Sequence, residues 1–137
     1  MIHILHHLNY VPVLIVTVIG FVFGGLWYSK LLFCNAWRAE TKLTEEQCKA
    51  GCAKKMIIAL LCTFVLVTAL DGLMTLVGIG SLLSGAKFGL YVGLGIAAAM
   101  QIPGAVYEGR TCKYRAIAVG HNVLLCVMVA AILGVYR

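Results

Sequence analysis

Four long apolar stretches constrain this chain more than any other feature. They cover residues 11–33, 56–80, 82–107 and 116–136. Each exceeds the roughly 20 residues that a helix needs to cross about 30 Å of hydrocarbon. Inside a bilayer every backbone N–H and C=O must find a partner within the protein, so only helices and closed barrels span it. Short alternating segments, the mark of a barrel, are absent from the sequence. The pattern predicts an all-α fold, an integral membrane bundle of four transmembrane helices forming a single domain over residues 1–137. Composition agrees. The chain is 62% hydrophobic and 12% charged, whereas soluble domains are roughly half apolar and a quarter charged.

The net charge of +6 raises the question of a nucleic-acid partner, and the positions answer it. Lys30, Arg38, Lys42, Lys49, Lys54, Lys55, Arg110, Lys113 and Arg115 fall in the first and third connections. Lys87 is assigned to the second, and Arg137 is the last residue. With four spans, the first and third connections share one side, and an excess of Lys and Arg marks that side as cytoplasmic. The basic balance therefore reads as a topology signal with some attraction to anionic headgroups, and no nucleic-acid partner is expected. Both termini are expected outside, in a bacterial-type inner membrane. No Lys or Arg precedes the first apolar run and no small-residue cleavage pattern follows it, so that span is expected to remain in the mature protein.

The stretch 20–37 fixes the first membrane boundary. Gly20 and Gly24, followed by Gly25, form a small-residue notch that admits another helix backbone. Trp27, Tyr28, Lys30, Phe33 and Trp37 then form an aromatic and basic group suited to the membrane–water interface. Asn9 is a suitable N-cap before the first span, with Pro12 in its first turn. Further on, Thr44 with Gln47 makes a capping box, so helix 2 is expected to start near Glu45 and extend into the cytoplasm. Running to Gly80 it would be about 54 Å long, with Gly51 its weak point. In the third span Gly85, Gly89 and Gly93 recur every four residues, a close-packing face. Pro103 predicts a kink near the inner end of that span.

Several of these residues carry a family resemblance. The run Leu26-Trp27-Tyr28-Ser29, then Leu31-Leu32-Phe33, Ala36-Trp37 and Leu43-Thr44-Glu45-Glu46, resembles the bacterial membrane family catalogued as domain of unknown function 1761. Tyr107-Glu108-Gly109-Arg110, and Gly120 before a polar pair, are similar to that family's third-loop and fourth-helix pattern. The resemblance runs from about Asn9 to Gly134. Lys30 stands where the family usually has Pro, Cys34-Asn35 where it has Gly-Lys, and His121-Asn122 where it has Tyr-His. The resemblance implies four membrane helices and no particular activity.

Polar residues inside the spans are the candidates for function, because a polar group in hydrocarbon costs several kcal/mol unless it is partnered. By helical rise, Gln101, His121, Asn122, Trp27 and Tyr28 come to one level near the inner boundary, with Glu108 and Arg110 just below. They read either as interhelical glue or as a pocket for a ligand or proton. Asp71 is the only acidic residue inside a span. It is expected in the outer half near Tyr91 and Thr17, with Lys87 above, and is a functional candidate in its own right. His3 and His7 share metal-ligand spacing, as do Cys48 and Cys52, with Cys34 and Cys112 on the same side. A Cys-x3-Cys pair with two scattered partners is a poor zinc pattern, so no metal and no cofactor is expected.

No nucleophile elbow, phosphate loop, dinucleotide fingerprint or zinc-protease pair is present in the sequence. The function expected is that of a non-catalytic membrane protein acting through helix packing, as a homo-oligomer or an accessory subunit of a membrane complex. Its partners would be the lipid bilayer and copies of itself or other membrane subunits. The alternative is a small transporter or channel for protons, ions or a small solute, using Asp71 and the Gln101/His121/Asn122 group. The topology is directly testable: an impermeant thiol reagent should leave Cys48 unlabelled in intact cells and label it after permeabilisation. Labelling in intact cells would invert the orientation.

Overall fold

The structure is a computed structural model that describes residues 2–29 and 31–136, without the side chains of Ile4, Leu5, His7 and Cys48. Lys30, Arg137, the His3–His7 pair and the Cys48 thiol therefore lie outside the described residues. A short helix α1 (Ile2–His7) precedes α2 (Tyr10–Trp27). The Asn9 side chain caps α2 by accepting from the Val11 N–H at 3.3 Å. Two short helices follow, α3 (Cys34–Thr41) and α4 (Glu45–Lys49), and then the long α5 (Cys52–Val77). α6 (Leu82–Val92) continues through a π-helical segment, Gly93–Ala98, into α7 (Ala99–Tyr107). The last helix is α8 (Cys112–Val135), capped by the Thr111 hydroxyl. Four helices, Tyr10–Trp27, Cys52–Val77, Leu82–Tyr107 and Cys112–Val135, are long and apolar enough to cross a membrane.

Three boundaries differ from the sequence expectation. The first span ends at Trp27, not near residue 33, because the chain turns there. The Ser29 hydroxyl donates to the Leu26 carbonyl at 2.6 Å, and the Phe33 N–H reaches back to the Trp27 carbonyl at 3.2 Å. Helix 2 is not one rod from Glu45. The Thr44–Gln47 capping box forms, but the helix stops at Lys49 and Gly51 takes a left-handed φ of 64° before α5 begins. That conformation is open to glycine at little strain. α5 then ends at Val77, where Gly78 closes a left-handed cap with its N–H on the Met74 and Thr75 carbonyls. In the third span the helix passes through Pro103, which lies inside α7, and the irregular stretch is the π segment one to three turns earlier. Lys87, assigned from sequence to a connection, sits within α6.

α8 is the central helix. On one side it receives α6 and the π segment, and on the other α2 and α5. Among the described residues, the Leu82–Tyr107 helix makes no extensive contact with α2 or α5. Its glycine stripe sets the distance. A Cβ on Gly85 would strike the Ala130 carbonyl oxygen, one on Gly89 the Cys126 carbonyl oxygen, and one on Gly93 would lie 3.0 Å from the Val123 Cα. The stripe thus packs within the chain against the α8 backbone. The opposite face of α8 joins a dry core of Val13 and Val16 from α2, Val67, Leu70 and Met74 from α5, and Leu125, Val129 and Leu133 of its own. In a bilayer, lipid is as apolar as these side chains, and contact density, not escape from water, would hold such a core together.

The close approach predicts a sharp contrast. Gly89→Ala should destabilise by about 1–3 kcal/mol through overpacking, whereas Gly104→Ala, with nothing within 4 Å of the added carbon, should leave the detergent melting temperature unchanged or slightly raised. Equal effects would mean that the helices do not meet along this stripe.

Candidate functional site

At the end of the bundle where α2 finishes and α8 begins, three helices deliver their polar side chains to one place. α8 presents His121 and Asn122, α7 presents Gln101, and the end of α2 presents Phe23, Trp27 and Tyr28. The Asn122 amide Nδ2 donates to Gln101 Oε1 at 2.7 Å. Its Oδ1 therefore faces His121 Nδ1, 3.0 Å away. An amide oxygen only accepts, so this network puts the ring proton on Nδ1, and a neutral His121 presents a lone pair at Nε2. The His121 ring is clasped by aromatics. Phe23 stacks on it at 5.6 Å, and Tyr28 and Trp27 approach at 5.2 and 6.0 Å between centroids. Trp27 fixes the clasp by donating its indole N–H to the Ile117 carbonyl of α8 at 3.2 Å.

His121 Nε2 is buried and has no hydrogen-bond partner among the described residues. It points at Gly24, where an added Cβ would sit 3.3 Å from it. Gly24 and His121 both line a cleft of about 310 Å³ between α2 and the first half of α5. Gly20 marks where the two helices meet, since a Cβ there would lie 3.1 Å from the Thr63 methyl. Toward the start of α5 they part, and the cleft opens between them. Its polar lining includes Tyr28, Lys55 and Thr63, and its apolar lining includes Phe21, Met56, Ala59 and Leu125. Thr63 is occupied, its hydroxyl donating to the Ala59 carbonyl at 2.8 Å.

The residues named from sequence are thus only partly gathered. Gln101, His121, Asn122, Trp27 and Tyr28 come together as expected. Glu108 and Arg110 do not join them. They pair with each other at 3.4 Å on an exposed turn, with the Arg110 guanidinium 5.0 Å from the Tyr114 ring centre. Asp71 is 7% exposed but is not near Tyr91 or Lys87. Those two lie on a separate shallow face of α6, and Tyr91 is 74% exposed. The reason is topological: α8 stands between α6 and α5. Asp71 instead lines a cavity of about 160 Å³ at the opposite end, with Asn9, Pro12, Thr75, Leu133 and Tyr136. Thr17 lies in the buried interior, donating to the Val13 carbonyl at 2.7 Å. Among the described residues no three His, Cys, Asp or Glu side chains converge as metal ligands. Cys52 contacts the Met56 sulfur at 3.7 Å, and the Cys112 sulfur accepts from Arg115 at 2.8 Å.

Sequence reading missed Phe23 and Lys55. Phe23 had a signal, since it stands four residues before Trp27 on the same helical face. Lys55 had none, because its place in the cleft depends on where α5 starts and how α2 and α5 diverge.

Four helices long and apolar enough to cross a membrane, three of them packed on the fourth, α8, with a polar cluster at the end of α2, define an all-α architecture. The chain belongs to the family described as proteins of unknown function, DUF1761, which it matches over residues 11–134. That range contains both the cluster and the cleft. No curated protein and no solved structure matches the chain.

The chain of hydrogen bonds has a measurable signature. Asn122→Ala should cost about 1–3 kcal/mol, because it strands the His121 Nδ1–H and the Gln101 carbonyl together. Adding Gln101→Ala to it should cost little more, since both act through one amide. Fully additive losses of melting temperature would show that the network is not formed.

Proposed function

We propose that this protein is a non-catalytic integral membrane protein that binds a small amphipathic molecule in the cleft between α2 and α5. The Nε2 of His121, without a partner among the described residues, carries this reading. A buried polar atom in a membrane-spanning helix is expensive unless something satisfies it, and this one abuts Gly24 at the edge of a cavity. The cavity is at the small end of the range for ligand sites, roughly 300–1,000 Å³. It combines apolar walls with a few polar groups, as such sites do. In this proposal the basic connections face the cytoplasm of a bacterial-type cell, both termini lie outside, and the ligand enters from the inner leaflet.

Self-association is a second reading, and one observation favours it. The first turns of α5 are exposed throughout, including Met56, Ile57, Ile58 and Leu61, so a second copy or another subunit has a face to pack on. The Gly85/Gly89/Gly93 stripe offers it no support, because α8 already occupies it. Transport has weaker grounds. Between the cleft and the Asp71 cavity lie Val13, Val16, Val67, Leu70 and Val129, all essentially inaccessible, so a solute would have to cross an apolar layer.

Native mass spectrometry tests the binding reading. Protein extracted in mild detergent should carry a non-covalent adduct of small-molecule mass, and Ala59→Trp, which fills the cleft from α5, should lose it while keeping its helical circular dichroism. Identical spectra for the two proteins would refute it.

A further inference from the structure

We propose that the cleft takes a single-chain amphiphile ending in a carboxylic acid, its head held by His121 Nε2 and Lys55 and its chain lying between Phe21 and Met56. This deepens the cleft reading above and rests on it. The head group follows from the hydrogen-bond polarity of the site. Asn122 Oδ1 holds the ring proton on His121 Nδ1, so the buried Nε2 is an acceptor and calls for a donor. Among amphiphile heads that bring one are an alcohol, an ammonium and a carboxylic acid.

Charge separates them. Lys55 lines the same cleft, and its ammonium, which now donates to the Gln47 carbonyl at 3.2 Å, disfavours a second cation. The connections at this end also carry Arg38, Lys42, Lys49, Lys54, Arg110, Lys113 and Arg115, against Glu40, Glu45, Glu46 and Glu108, so the approach is positive overall. An alcohol would satisfy Nε2 and leave Lys55 without a role. A carboxylic acid uses both. Its O–H meets the Nε2 lone pair, and if the proton crosses, the products are a carboxylate and an imidazolium, with the total charge unchanged. Either way one oxygen stays on Nε2 and the other is free for the lysine.

The levels match. Gly20 lies beside Thr63, so in antiparallel helices Gly24 faces the Ala59 level and Tyr28 the Lys55 level. Lys55 then sits about one turn, roughly 5 Å, below the imidazole, within reach of its flexible stem. The volume of about 310 Å³ suits one chain better than two.

Trp27, 6.0 Å from the His121 ring, supplies the readout. In a Trp37→Phe background reconstituted into neutral lipid, a brominated long-chain fatty acid should quench Trp27 fluorescence saturably. The brominated alcohol and methyl ester of the same chain should bind at least tenfold more weakly, and the brominated alkylammonium should not saturate. Lys55→Gln should weaken the acid by roughly tenfold or more, the loss of one charged hydrogen bond, and leave the alcohol unchanged. His121→Phe, which keeps the aromatic stack, should abolish the preference for acid over ester. If acid, alcohol and ester saturate alike, and only Ala59→Phe, which narrows the cleft without adding a second tryptophan, removes the quenching, the cleft binds an amphiphile but the head-group assignment is wrong. If no probe saturates, or Ala59→Phe behaves as the parent does with every probe, the cleft reading falls as well.

Discussion

The approach of the Leu82–Tyr107 helix to the backbone of α8 is the contact on which the architecture depends. At Gly85 and Gly89 there is no room for even a methyl group against the α8 carbonyls. Close backbone approach maximises dispersion contact, which in a bilayer would have to replace burial from water. It also makes α8 the central helix, with α6 on one side and α2 and α5 on the other. A bundle built this way keeps its first and third spanning helices apart, and every longer-range relation in the molecule follows from that separation.

The polar cluster is one such relation. Gln101 reaches Asn122 from the α6–α7 side of α8, while Phe23, Trp27 and Tyr28 reach His121 from the α2 side. Two adjacent residues of one helix therefore face different neighbours and are joined by a single hydrogen bond of 3.0 Å. Asn122 spends its oxygen on the imidazole and its amide on Gln101, which fixes the imidazole's proton. The remaining nitrogen is left buried against Gly24, beside the cleft. Glue and proposed binding site are thus one structure, in which the bonds that tie the helices together also determine what the remaining nitrogen can accept.

Asp71 belongs to a different part of the molecule. It lines a cavity between the start of α2 and the end of α8, and the dry layer around Val16, Val67 and Val129 separates it from His121. α2, α5 and α8 form the Asp71 cavity, the apolar middle and the cleft, and α7 adds Gln101 at the His121 end. In a bilayer this distribution places polar groups near the two interfaces and the densest packing at the centre, where an unsatisfied group is most expensive.

The sequence by itself determined the four helices long and apolar enough to span a membrane, because length and hydropathy are local properties. It also determined the Asn9 and Thr44 caps, and the level at which Gln101, His121 and Asn122 meet, because helical rise converts residue number into depth. It marked Gly85, Gly89 and Gly93 as a packing face without identifying the neighbour. Tertiary structure alone decided the rest. Depth places Asp71 level with Tyr91, but azimuth and helix order put α8 between them, and neither is encoded in a hydropathy pattern. The break at Gly51 was legible as a weak point, yet only the folded chain shows the left-handed turn that ends α4 and sets where α5 begins. The cleft was invisible in the sequence for the same reason: it is the space left where α2 and α5 diverge below the Gly20–Thr63 contact, and its existence depends on packing geometry that no single segment contains.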